Sequence, residues 1–358
     1  MEGPKAGEVV VALDFSLSVD QEAIADAFGA FFAAESPIDV VRGAEPLGYS
    51  PRLWQKLGSL EAPGMSVPPH AGGGGATLSD LVVVAEALGE SIAPVPLVEH
   101  WVASRAYPTP EIVSGDQIAA IALRPADAEG IWRLVPGGAV AGVVVGVDGD
   151  ELVAVHSSAP MVSPRNHGSA PLADRSARGG QRVVLGEAAD LDRYLDLWRV
   201  LTAAALVGIA ERAMRMGVDY VLERHQFGRP IGSFQSIQHG LADLPALVDG
   251  GRFLAHKAAW AFDAGLVDGA GVIDMDEGNI TEFAPLAAMA LVHAADAAAV
   301  STDRSLHYHG GYGFSLEYDI QLYFRRARGW ANIIGDLSLQ RRRLADLLWG
   351  RAEATAGR

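Results

Sequence analysis

The chain has 358 residues, 49% of them hydrophobic, no cysteine and a formal net charge of −16. Such a length and apolar content suit a globular protein of two or three domains with a sizeable core. The absence of cysteine excludes disulfides, thiolate metal sites and a cysteine nucleophile, and the acidic balance argues against nucleic acid or an anionic membrane as a partner.

The opening "MEGPKAGEVVVALDFS" has no basic n-region and no long apolar run, so no signal peptide is expected. From Ser18 to about Tyr107 the texture is helical. "SVDQEAIADAFGAFFAAE" places Ile24, Ala27, Phe28, Phe31 and Phe32 at the spacing of one helix face, and Ser18 with Gln21 resembles a capping box. "SPRLWQKLGSL" and "LSDLVVVAEALGESIA" read as two further helices, with "PPHAGGGGA" between them as a flexible loop. Residues 1–115 are expected to form an N-terminal helical domain.

From about Gln117 to Leu185 the chain turns to short β-rich runs: "IAAIALRPA", "IWRLVP", "AVAGVVVGVDGDELVAVHS" and "QRVVLG". "GG" and "DGD" separate them as turn signals, and "SSAPMVSPRNHGSAPLADRSARGG" reads as loop-rich and mobile. A small β domain is expected over residues 116–188.

Helical texture returns from Asp190. "LDLWRVLTAAALVGIAERAMRMGVDYVLER", "SFQSIQHGLADLPALVDGGRFLAHKAAWAFDAG", "TEFAPLAAMALVHAADAAAVSTDRSLHYHGG" and "LSLQRRRLADLLWG" are long helical patterns. They suit an antiparallel four-helix bundle over residues 189–358 with alanine-rich interfaces. The apolar stretch from Leu195 to Ala210 is interrupted by Arg199 and Thr202 and is short for a membrane span, so a soluble, cytoplasmic protein is expected. His156, His167, His239 and His309 have no metal-ligand spacing, and no nucleophile–base pair for hydrolysis is visible. Arg325, Arg326 and Arg328 in "LYFRRARGW" read as a salt-bridged helix face in preference to a basic site for a phosphate.

Two C-terminal segments carry a resemblance. "RHQFGRPIGSFQSIQHGLADL" is similar to the Arg-x-x-Phe-Gly segment of the acyl-CoA dehydrogenase superfamily, and "HYHGGYGFSLEYDIQLYFRRAR" to its Gly-Gly-x-Gly segment. "DFSLSVDQEAIADAFGAFF", "LWQKLGSL" and "VVVAEALGESIAPVPL" resemble its N-terminal domain. The resemblance implies an α+β fold: a helical domain, a reduced β domain and a C-terminal helical bundle. It implies FAD at a subunit interface, with a carboxylate removing the α-proton of an acyl-CoA. On its residues alone Arg224 is open between a solvated helix-end cation and an anion ligand. The resemblance implies that Arg224 meets the FAD diphosphate, as the planar, permanently charged fork of arginine suits. It places Gln226, Phe227, Gln235, Gly310 and Gly311 at the cofactor, with Gly313 in the same turn. His307 stands where the family has glutamine at the ADP half. His309 reads as structural.

Three departures follow from the same comparison. The base of many members lies two residues after an isoleucine, where "IIGDLS" offers Gly335. The alternative base position, on the helix leading to Arg224, is Trp198. The "TEPxxGSD"-like run is replaced by "ALRPADAEGIWRL". Asp336 lies one residue beyond the expected place and reads as a helix N-terminal residue. The resemblance is therefore to the base-lacking subunit of α2β2 acyl-CoA dehydrogenases of the steroid type. Its expected partner is a homologous catalytic subunit. A self-sufficient enzyme using Asp336 or another carboxylate, and a flavin-free structural or regulatory paralogue, are the alternatives.

Overall fold

The computed structural model describes residues 16–267, 270–274 and 279–356. Residues 1–15, over which the sequence reading expects no signal peptide, lie outside the described residues.

The first layer is helical: α1 (Val19–Glu35), α2 (Ile38–Gly43), α3 (Pro51–Ser59), α4 (Leu78–Glu90), α5 (Leu97–Ala106) and α6 (Pro110–Val113). The capping box forms as the sequence suggests: Ser18 Oγ accepts from Gln21 N at 3.2 Å while Gln21 Oε1 accepts from Ser18 N at 3.1 Å. Thr77 and Asp80 do the same for α4. The glycine run before α4 is not a loose loop. Gly73, Gly74 and Gly75 donate backbone bonds to Pro68, Gly64 and Val67, and a Cβ on Gly73 would lie 2.2 Å from Val67 O. Close backbone packing explains these glycines better than flexibility does.

The β region contains β1 (Ala119–Ile121), β2 (Ile131–Val135), β3 (Val143–Asp148), β4 (Glu151–His156), β5 (Ala173–Ser176) and β6 (Gln181–Glu187). One sheet has the order β1-β3-β4-β6, and β2 pairs with β5 separately. The "DGD" signal becomes the two-residue turn between β3 and β4, with Gly149 at φ +64°. The stretch read as loop-rich and mobile contains β5 and is tied down. Arg175 donates to the carbonyls of Gly138 and Ala141, each at 2.6 Å, and Trp330 Nε1 to Gly168 O at 2.9 Å.

The C-terminal layer comprises α7 (Leu191–Glu223), the small hairpin β7 (His225–Gln226) and β8 (Arg229–Pro230), α8 (Gln235–Ala242) and α9 (Leu244–Asp263). After the short pair β9 (Ile273–Asp274) and β10 (Asn279–Ile280) come α10 (Phe283–Tyr308), α11 (Ile320–Ala331) and α12 (Leu337–Ala356). The stretch expected as one helix after Ser233 is two, because Pro245 has no N–H for an interior helix bond and its ring would meet the carbonyl of Leu241. In the first turn of α9 the proline is tolerated. α10 is long and apolar enough to cross a membrane, yet 61% of its most apolar window is buried inside the fold. Ala287, Ala290, Ala294 and Ala298 bury one side of it, so it serves as a core helix. α4 and α7 approach backbone to backbone: a Cβ on Gly89 would sit 1.9 Å from Ala205 O, and one on Gly208 2.0 Å from Glu86 O. That contact fixes α7 against the N-terminal helices.

Candidate functional site

Arg224 ends α7 in an extended conformation, and its carbonyl accepts from Ile231 N at 2.7 Å, closing the hairpin. At the tip, Phe227 (φ +54°) and Gly228 (φ +77°) both take left-handed backbone, as a tight I′-like hairpin turn demands. Phe227 is 90% exposed and meets Phe234 edge-on at 6.1 Å. The Arg224 guanidinium lies over the Tyr312 ring at 5.6 Å, so the arginine segment and the glycine turn meet in space. Among the described residues Arg224 has no carboxylate partner. Gln226 and Gln235 are exposed, and so is His307 near the end of α10. Arg304 ties that end to α8 through Gly240 O at 2.6 Å and Asp243 at 3.1 Å.

The glycines separate by role. A Cβ on Gly313 would lie 2.5 Å from Leu306 O, so packing within the chain requires it. Gly310 needs its φ of +60°. At Gly311 a Cβ would meet nothing within 4 Å; neither conformation nor internal packing requires glycine there, and its backbone is open to approach from outside the chain. An unpaired guanidinium, open glycine backbone and exposed amide side chains fit the diphosphate and ADP portion of FAD. His309 is structural, as expected: Nδ1 meets Ser305 O at 2.7 Å, the ring stacks on Tyr220 at 4.0 Å, and burial lowers its pKa.

The two base positions lie elsewhere. Gly335 has φ +125°, a conformation that side-chain-bearing L-residues rarely adopt. A Cβ there would lie 3.5 Å from Arg124 Nη2. Asp336 is exposed; its Oδ1 accepts from Ser338 N at 2.7 Å, ahead of α12. The Ser338 hydroxyl and N–H, with Arg341 and Arg342, hold its carboxyl below the usual value and make it a weaker base. Trp198 is buried and donates from Nε1 to Glu99 Oε1 at 3.2 Å.

Glu99 is a residue the sequence reading passes over. It lines a narrow apolar pocket with Ile92, Trp198, Ala205, Trp330 and Ile333. Burial raises the pKa of its carboxyl, and its own backbone N–H and the Trp198 indole oppose the rise. The arginines of α11 are ion-paired: Arg325 and Arg326 with Glu45 at 2.7 and 3.0 Å, Arg328 with Asp303 at 3.2 Å. Within the segment replacing the "TEPxxGSD"-like run, Asp127 accepts from Glu129 N and Ile131 N, each at 3.0 Å, in a turn that leads into β2, where Trp132 is buried. No group of three metal-ligating side chains occurs among the described residues.

Residues 190–348 match the model for the C-terminal domain of acyl-CoA dehydrogenase and residues 18–113 that for its N-terminal domain. The chain is 30% identical to the acyl-CoA dehydrogenase IpdE2 of Mycolicibacterium smegmatis over 338 residues, covering 92% of this chain and 98% of that one. A variant of the Tcur3481–Tcur3483 steroid ACAD superposes with a TM-score of 0.78 at 26% identity, covering 94% of this chain and 99% of the other. The ChsE4–ChsE5 complex from Mycobacterium tuberculosis gives 0.79 at 24% identity over the same shares.

Proposed function

The chain belongs to the acyl-CoA dehydrogenase family, and we propose that it acts there as a base-lacking subunit of a heteromeric, FAD-dependent enzyme. It completes the FAD site of a homologous catalytic partner in an α2β2 assembly. The reaction is the α,β-dehydrogenation of a bulky acyl-CoA, with a steroid side-chain thioester the first substrate to try, and the setting is the cytoplasm. FAD, when bound, accepts the hydride that leaves the acyl β-carbon. This chain's residues would do the holding: Arg224 would neutralise the diphosphate, with Gln226 and Phe227 of the hairpin beside it, and Gln235, His307 and the Gly310–Gly311 backbone would receive the ADP portion. No residue of this chain takes the α-proton.

One observation carries the reading: the expected base position is a glycine in a left-handed backbone, where a Cβ would lie 3.5 Å from the Arg124 guanidinium. A carboxylate placed there would be strained and ion-paired, and so depressed in basicity. The open, exposed cofactor-binding face supports a site completed from outside the chain, and relatives that include a two-protein complex and a steroid ACAD support the partner and substrate class.

Glu99 favours a second reading, a self-sufficient enzyme, because a carboxyl with raised pKa touches the alternative base position. Purification of this chain alone and with a homologous partner separates the two. Flavin and turnover only in the co-expressed pair are expected. A flavin-loaded, active chain alone, losing turnover in Glu99→Gln, would establish the second reading instead.

A further inference from the structure

Between the β region and the C-terminal end of α11 lies an open cleft of about 390 Å³. Arg124, His167 and Arg328 line one part of it; Leu134, Leu172 and Ile333 form an apolar wall; no aspartate or glutamate lines it. In a chain of net charge −16 this is a local reversal of sign. Arg328 is fixed by Asp303 and by the Phe324 ring, 3.6 Å from its guanidinium carbon. Arg124 is exposed. Its hydrogen bond among the described residues is a long one, 3.4 Å from Nη2 to Ile333 O, and no carboxylate pairs with it there. His167 has no side-chain partner among the described residues.

The backbone around the cleft is held in costly conformations. Leu134, a large aliphatic residue, has φ +50° and is exposed, with its N–H donating to Asp174 Oδ1 at 2.8 Å. Ser169, next to Gly168 in the cleft wall, has φ +42°. Strain of this kind persists where the surroundings enforce it and gathers at binding sites. A Cβ on Gly335 would lie 3.5 Å from the same Arg124 Nη2, so the expected base position lies beside a guanidinium with no carboxylate partner among the described residues.

The geometry points to an anion site in this cleft, one that takes the carboxylate of an organic acid with an apolar body. The Arg124 fork offers two parallel N–H donors to a carboxylate. The His167 ring offers a further donor, and Leu134, Leu172 and Ile333 receive the apolar part. The site goes beyond the subunit assignment and does not depend on assembly.

The test is calorimetric titration of the full chain with hexanoate, its neutral isostere hexanamide, and inorganic phosphate. Hexanoate binds saturably and hexanamide at least about 10-fold more weakly, as loss of a charge-assisted bond implies. Arg124→Gln weakens hexanoate by about 10- to 150-fold. Arg124→Lys, which keeps the charge without the fork, falls between, and Arg182→Gln, on the remote strand β6, binds as wild type. Melting curves show that each variant is folded. Equal binding of hexanamide, or an Arg124→Gln protein that binds hexanoate unchanged, overturns the site; tighter binding of phosphate than of hexanoate overturns the carboxylate assignment. The flavin content of the same preparation keeps the two readings apart. A flavin-free chain that binds no hexanoate removes the anion site alone, whereas flavin held by the isolated chain removes the subunit assignment.

Discussion

Gly335→Ala isolates the backbone at the expected base position. Its φ of +125° lies where a Cβ is strained whatever the space around it. The new methyl would meet Arg124 Nη2 at 3.5 Å and Leu339 Cδ1 at 3.9 Å, both ordinary contacts. Strain therefore decides the outcome, and a non-glycine residue in such a region costs about 1–3 kcal/mol. At a φ that alanine accepts, the same substitution would stabilise by about 0.4–1 kcal/mol, by restricting the unfolded chain. The two cases differ in sign, so urea denaturation of wild type and variant, compared by midpoint at equal slope, reads the answer directly. Gly335→Glu adds a carboxylate beside Arg124; it should show the same strain, partly offset by the ion pair, and give the chain no dehydrogenase activity of its own. A stabilised alanine variant, or a glutamate variant that turns over acyl-CoA without a partner, would refute the reasoning.

Three further outcomes are expected. Arg224→Ala should weaken FAD retention in the assembled complex by about 10- to 150-fold, the loss of one charge-assisted hydrogen bond, with an unchanged melting curve; flavin content after dialysis checks it. Asp336→Asn should leave turnover of the complex within a few-fold of wild type, since its carboxyl accepts from Ser338 N and is a depressed base; a fall of orders of magnitude with flavin bound would make Asp336 the base. Glu45→Gln should destabilise by about 1–3 kcal/mol near neutral pH, less than a fully buried pair because Glu45 is partly exposed. Burial pushes the Glu45 carboxyl up, but Arg326 and Arg325 outweigh it and hold the pKa below 4.5. The stabilisation is therefore complete above about pH 4.5 and fades as pH falls through the lowered value. Urea midpoints of the two proteins should converge in acid, and a gap that stays constant with pH would show that charge is not the cause.

Local signals carried most of the fold. Ser18 and Gln21 sit three positions apart, so a capping box is readable from the chain alone, and the "DGD" turn is equally local. Pro245 is an equally local signal, yet the break it makes between α8 and α9 passes unread and one helix is expected there. What stayed hidden depends on distant partners. The folded glycine loop rests on backbone bonds to residues 64, 67 and 68, which no periodicity displays. β5 has the short polar sequence "ADRS" and becomes a strand only because β2 pairs with it. In the site, Arg224 and the glycine turn are recognisable as motifs, and the structure adds their contact through Tyr312. Glu99 meets Trp198 across 99 positions, and Arg124 faces Gly335 only because the β region packs against the end of α11. Neither pairing leaves a trace in local spacing.

The central claim is that this chain completes a cofactor site without supplying the base. Native mass spectrometry of the co-expressed pair tests it most directly. The account predicts a 2:2 assembly whose FAD departs when the two kinds of subunit separate, leaving this chain flavin-free. A stable homotetramer of this chain alone, fully loaded with FAD, would contradict it.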